Sequence, residues 1–325
     1  MKVEIPQALK ADVPQTTWGK MLTATPVVMA VVATMLAGLA SSEMTRAQYV
    51  RSLAAQQQSK AGDQWSFFQA KRLRGALQRN SLDLLQATVE VHPLTAAGLR
   101  KAAEQLPPPA GQGDAARGRT ELLATLDSPA GRQALACLER GELPSASAAL
   151  ALDPAIKAAL EAVENLKPEA EIRSFLAQVN NQALEQAIRA ARDPAQALDA
   201  ATQPVNRAID LLDNLMDRQT ASGASLNRDF TAARLRYAAL RYEVEARLNQ
   251  AIANLYELQV RKSNILAERH HSRSLRFFFG MLAAQLGVII STFAIAARQR
   301  NLLWALAAAA GAVAIAFAIY VYLYV

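Results

Sequence analysis

Three stretches of this chain, residues 21–42, 277–297 and 301–325, run for at least 21 residues without a charged side chain. A hydrocarbon core roughly 30 Å thick is crossed by about 20 helical residues. Within lipid no water pairs with the backbone, so each amide must find its partner inside the element. The three stretches are therefore read as transmembrane helices. Trp18 and Trp304 stand at span ends, where indoles favour the headgroup level, and Tyr320, Tyr322 and Tyr324 fall at the far end of the third. The first span has a second reading. Lys20, an apolar run and Gly38-Leu39-Ala40 before Ser41 have the form of a secretory signal with a small-residue cleavage site. The long segment before Lys20 and the length of the uncharged run favour a retained span.

Inside the spans polar residues are few: Gln285, Ser291 and Thr292 in the second, and no Asp, Glu, Lys, Arg or His in any. Pumps and proton-coupled transporters use intramembrane ionisable groups, so this pattern argues against them. Gln285 is expected to bond a neighbouring helix. Small residues recur at every fourth position, at Ala283, Gly287 and Ser291 and again at Ala310, Ala314 and Ala318, a spacing that permits close helix contact.

Between the first two spans lies one large polar segment. It is rich in Ala, Leu, Arg, Glu and Gln, which favour helix, and it lacks hairpin turns and alternating β-branched runs. The fold class is all-α. Residues 1–20 are an N-terminal tail. Residues 43–91 and 223–276 read as two helical arms continuous with the spans. On the return arm Phe230, Ala233, Tyr237, Leu240, Val244, Leu248, Ile252, Leu255 and Leu258 follow steps of three and four, a coiled-coil-like seam. Both arms must meet the same membrane face, which predicts antiparallel pairing. Residues 92–222 form an inserted helical bundle at the tip. Pro107-Pro108-Pro109 through Asp114 is a loop, and Thr220 to Ser225 is the hinge into the return arm. Ser128-Pro129, Asp153-Pro154 and Asp193-Pro194 each predict a helix start with a capping side chain and proline at the first helical position, and Lys167-Pro168 separates two helices.

The search for chemistry finds no site. Neither phosphate-binding glycine loops nor a nucleophile elbow is present. His92 stands alone beside Pro93 in a loop or helix-end position. His270 and His271 are adjacent, about 100° apart on a helix, whereas a shared metal prefers residues three or four apart. No catalytic residue, cofactor, metal or small-molecule substrate is expected, and the single cysteine, Cys137, reads as a buried thiol. The chain carries a formal charge of +7. Arg269, Arg273 and Arg276 form a juxtamembrane basic patch suited to lipid headgroups. The basic stripe Lys71, Arg72, Arg74 and Arg79 lacks interleaved aromatic residues, so a solvated helix face is expected there and not nucleic acid.

The run Gly62-Asp-Gln-Trp65-Ser-Phe-Phe-Gln-Ala-Lys71, the start Met1-Lys-Val-Glu-Ile-Pro6 and Trp18 resemble bacterial membrane proteins of the DUF4337 family. Those read Asp-Gln-Trp-Ala-Tyr/Phe-Tyr-Gln-Ala-Lys after a first membrane helix. The end, with Gln285 early and Ser291 midway in a span, is similar in style. The resemblance covers roughly residues 1–80 and 240–325, with a large central insertion. It implies a multi-pass protein of the bacterial inner membrane, with no assigned activity. Trp65, Phe68 and Arg72 share a helical face; with Gln69 and Lys71 they form a packing or interaction motif, set against Tyr237 or Tyr242 of the return arm.

Eight basic residues flank the spans on the large domain's side (Arg46, Arg51, Lys60, Arg261, Lys262, Arg269, Arg273 and Arg276) and five on the other (Lys2, Lys10, Lys20, Arg298 and Arg300). That balance leans towards a cytoplasmic domain, although the tight Arg298-Gln-Arg300 turn leans the other way. The expected role is structural or interactive, with the lipid bilayer and a second copy or protein partner meeting the coiled-coil arms. An accessory subunit of a transport or channel complex, with Gln285, Ser291 and Thr292 lining a path, is the alternative.

Overall fold

A computed structural model describes residues 17–105, 114–144, 151–217, 224–296 and 300–324, and among them there are helices and no strands. The helices are α1 (Thr17–Thr88), α2 (Ala96–Gln105), α3 (Asp114–Asp127), α4 (Pro129–Arg140), α5 (Pro154–Glu164), α6 (Glu169–Gln178), α7 (Asn181–Asp217), α8 (Ala224–Ala296) and α9 (Arg300–Tyr324). The tail before Thr17, the proline-rich loop, most of the expected hinge and the Arg298-Gln299 turn lie outside the described residues. The chain divides into two compact units, residues 1–56 with 260–325, and residues 57–259. Helices α1 and α8 contribute to both. Three helices, α1, α8 and α9, contain segments long and apolar enough to cross a membrane.

In the first unit, α1, the end of α8 and α9 share a core of Met29, Ala33, Leu36, Ala40, Phe277, Ala284, Ala314 and Val321. The buried positions of α8 here are Phe277, Gly280, Ala284, Gly287, Ser291 and Ala294, and those of α9 are Ala307, Gly311, Ala314 and Val321. The steps are three and four, which keeps one stripe of a helix against its neighbours. Most of the inward residues are small, and many large ones point out: Val27, Val31, Met35, Phe278, Leu282, Leu286, Ile289, Phe293, Leu306, Val313 and Ile319 are all exposed. Apolar side chains turned outward over three neighbouring helices would be costly in water and suit hydrocarbon. On α9 the buried set differs from the expected every-fourth-residue pattern, because a stripe of alternating threes and fours follows a neighbouring helix where a strict four drifts away from it.

The second unit is a helical bundle joined to the remaining parts of α1 and α8. Its core gathers Leu99, Leu122, Leu126, Leu135, Leu138, Val205, Leu212 and Phe230 from α2, α3, α4, α7 and α8. Two helix starts have the caps the sequence predicts: Ser128 Oγ accepts from the Gly131 amide, and Asp153 Oδ1 from the Ala155 amide, each ahead of a first-turn proline. Helix α4 closes on Gly141 at φ +66°, whose amide bonds the Cys137 carbonyl. This left-handed C-cap favours glycine, which has no Cβ to strain it.

The third expected start, at Asp193-Pro194, is not one. Helix α7 continues through both Pro194 and Pro204. Its buried face runs past the two prolines, as Leu184, Ile188, Ala191, Leu198, Thr202, Val205, Ile209 and Leu212. An internal proline costs about 3 kcal/mol, and this long face offsets it, since fully burying a single Leu or Ile contributes about 1.5–3 kcal/mol.

The expected seam on α8 also divides. Phe230, Ala233 and Tyr237 belong to the bundle core rather than to a pairing with α1. A second buried stripe on α8 consists of small residues every seventh position, Ala232, Ala239, Ala246 and Ala253.

Candidate functional site

The aromatic motif sits in the second unit, on α1. Trp65 and Phe68 are half-buried and meet edge to face, with centroids 5.4 Å apart at 81°. The Arg72 guanidinium lies over Phe68 at 5.8 Å. Gln69 is exposed. Lys71, on the same helix, turns towards α8: its ammonium pairs with the Glu245 carboxylate and lies 5.5 Å from the centre of the Tyr242 ring. The Glu245 side chain is only 9% exposed, and Arg241 Nε approaches its other oxygen at 3.6 Å. One turn further along α1, a Cβ on Gly75 would stand 3.4 Å from Tyr242 Cβ and 3.6 Å from the Ala239 carbonyl, so the two backbones come close there. Arg79 then reaches Glu243 at 2.8 Å. The partner of Lys71 is thus Tyr242. Tyr237 instead donates to Asn206 Oδ1 at 3.2 Å, and burial pushes its phenol up to about 12.

Shallow crevices flank this contact. One of about 490 Å³ is lined by Lys71, Arg74, Asp199, Arg207, Arg241 and Glu245 among others. Its cations and carboxylates alternate, so no single sign of charge dominates it. Across the second unit Arg192 donates to the Tyr256 hydroxyl, and Asn254 to Glu164. No group of three or more His, Cys, Asp and Glu side chains with metal-binding geometry occurs among the described residues. Cys137 is buried, and desolvation first, then Glu142, raises its thiol pKa. A thiolate nucleophile is disfavoured in such a setting.

The first unit holds a polar cluster next to the apolar segments. His270 Nδ1 lies 2.6 Å from Glu43 Oε2, and Arg46 donates to Glu43 Oε1 at 3.0 Å. One turn on, the Ser274 hydroxyl donates to the Ala40 carbonyl at 2.7 Å. Glu43 and Ser274 are buried. The expected basic patch surrounds this cluster, with Arg269 exposed and Arg273 and Arg276 half-buried. Neither Glu43 nor Ser274 stands out in the sequence; the signal that finds them is their place on the buried stripes, Glu43 between Ala40 and Ala47, Ser274 seven residues after Ala267.

Within the apolar segments the polar residues do not converge. Ser291 is fully buried and donates to the Val288 carbonyl at 2.9 Å. Thr292 is exposed and donates to the same carbonyl at 2.8 Å. Gln285 is exposed on the outer face, and the bond to a neighbouring helix expected of it is not made among the described residues. A polar contact between the apolar segments runs from Trp304 Nε1 to Thr25 Oγ1, at 3.0 Å.

Among the described residues these features define an all-helical protein with three segments long and apolar enough to cross a membrane, and with polar clusters that join one helix to another. Residues 18–108 match the model of a family described as a domain of unknown function, DUF4337. The matched segment contains the Trp65–Lys71 motif; the stretch 240–325, also expected to resemble that family, lies outside it. No curated protein and no solved structure matches the chain.

Proposed function

We propose that this chain is a multi-pass scaffold of the bacterial inner membrane. Its transmembrane helices anchor a long antiparallel coiled-coil-like hairpin, with the helical bundle at the tip on the cytoplasmic side and no catalysis of its own. The observation that carries this reading is Lys71. The most specific motif in the sequence sets its half-buried lysine against Tyr242 and Glu245 of α8, as a helix-pairing device would. The aromatic pair beside it and the alanines at every seventh position of α8 support the same use.

The partner on this reading is the bilayer together with a protein met by the helical arms. A photo-crosslinking side chain in place of Phe67, which is exposed beside the motif, tests it in native membranes. A product joining the chain to a second copy or to one defined partner is expected, with the chain retained in the membrane after alkaline carbonate extraction. A chain that washes out with carbonate, or that stays monomeric and partnerless at every exposed arm position, overturns the proposal. The alternative, an accessory subunit of a transport complex, needs Gln285, Ser291 and Thr292 on one path. Gln285→Leu would then abolish a measured flux.

A further inference from the structure

We propose that the outer face of the second span is a homodimer interface centred on Gln285, where the carboxamides of two copies of this chain bond one another across a twofold axis. The inference rests on the membrane reading above. Gln285 is the ninth residue of the stretch 277–297, about 12 Å along the helix from its start at 1.5 Å per residue. That places it near the middle of a hydrocarbon core, too deep for its side chain to reach the headgroups. It is exposed and makes no side-chain hydrogen bond among the described residues. Moving an amide from water to hydrocarbon without a partner costs about 4–8 kcal/mol. The neighbouring polar groups avoid this cost by bonding inward, Ser291 and Thr292 both donating to the Val288 carbonyl. Of these three polar groups only Gln285 has no partner among the described residues.

The face around it has the spacing of a helix contact. Phe278, Leu282, Gln285, Ile289 and Thr292 are all exposed and follow steps of four, three, four and three. This stripe lies away from the buried stripe of Phe277, Ala284 and Ser291 that faces α1 and α9, so packing within the chain leaves it free. The occupant follows from the amide's chemistry. A carboxamide offers both donors and an acceptor, so it complements a copy of itself. A twofold interface presents the same residue from each side of its axis. A single buried amide at one seam position also fixes register and the number of helices that associate.

The test uses the full chain in native membranes with Cys137, its one cysteine, replaced by serine. Leu282→Cys and Ile289→Cys place thiols one turn to either side of Gln285. Val313→Cys, outward on α9, is the control. Mild oxidation is expected to link Leu282→Cys and Ile289→Cys into dimers of twice 35.1 kDa, and to leave Val313→Cys monomeric. Adding Gln285→Leu lowers the dimerisation constant read from the linked fraction by about fivefold to thirtyfold, in line with interhelical amide bonds in model peptides, and Gln285→Asn restores most of it. Equal linking at Val313→Cys, a membrane-resident chain that does not link at either stripe position, indifference to Gln285→Leu, or a product of another mass overturns the proposal. Appearance of the chain in the carbonate-soluble fraction would instead refute the membrane reading on which it rests.

Discussion

The imidazole of His270 and the carboxylate of Glu43, 227 positions apart in the chain, stand 2.6 Å from each other beside the apolar segments of the first unit. Their side chains are 15% and 11% exposed. Arg46 takes the second carboxylate oxygen, so Glu43 joins both helices through one group. Removing Glu43 leaves the little-exposed His270 without this partner, at a cost of about 1–3 kcal/mol, whereas Arg46 is 63% exposed and solvent takes its place. Glu43→Ala is expected to destabilise the detergent-solubilised protein by that amount, and Glu43→Gln, which keeps acceptors in place, by less. A double-mutant cycle with His270→Ala, read by pulse proteolysis, checks the pairing. Additive losses would show that the two residues act separately.

Met29 occupies space that two side chains do not. A Cβ on Gly287 would overlap Met29 Cε, and one on Gly311 would stand 2.5 Å from Met29 Sδ and 2.8 Å from Cε. Both contacts are with the far end of the flexible Met29 side chain, so Gly287→Ala and Gly311→Ala are each expected to cost about 1 kcal/mol, the low end of overpacking. Combination with Met29→Ala should recover much of the loss, because the clash is with that side chain. Thermal unfolding in detergent measures it, and an unchanged cost in the Met29→Ala background would place the clash elsewhere.

Tyr237 gives the second unit a sensitivity to alkali. Burial raises its phenol from 10 to about 12. The folded state therefore holds the proton more tightly than the unfolded chain does. Stability from this group is fully present below pH 10 and is lost as pH rises towards 12. Two pH units of separation correspond to at most about 2–3 kcal/mol. Tyr237→Phe should remove this component of the pH dependence while losing the bond to Asn206. Equilibrium unfolding at pH 9 and pH 11 checks it, and an equal loss in the two proteins would rule Tyr237 out as the source.

The long apolar helical segments and two proline-headed helix starts were legible because each rests on local chemistry: an uncharged run long enough for a bilayer, or a capping side chain before a proline. Pro194 misled for the complementary reason. What carries α7 through it is the buried face from Leu184 to Leu212, a tertiary effect that outweighs a local penalty. The aromatic positions on α8 were legible as a seam, but Phe230 and Tyr237 turned to the bundle. A second stripe, alanine every seventh residue, was available as the facing surface. Period alone does not choose between two stripes on one helix; the choice depends on which neighbour brings enough complementary volume. Gln285 was visible as a polar residue in an apolar stretch, yet its direction was not, since facing in and facing out differ by only a rotation of the helix.

The Lys71–Glu245 pair allows the role of the motif to be tested apart from its charge. Lys71 is 29% exposed and Glu245 9%, so the pair is desolvated and its attraction is partly cancelled by the cost of leaving water. Removing one partner should therefore hurt more than removing both. Lys71→Met alone strands Glu245 beside Arg241 and is expected to destabilise the second unit by about 2–3 kcal/mol. Lys71→Met with Glu245→Met replaces the pair with apolar side chains of similar reach, and is expected to recover most of that loss. If the motif exists to pair helices, the double variant folds and stays associated as the wild type does, because packing at Gly75 and Tyr242 survives. If Lys71 serves a partner through its charge, the double variant is stable yet loses the crosslinks formed from position 67. Chemical denaturation and crosslinking on the same three proteins separate these two uses of one side chain.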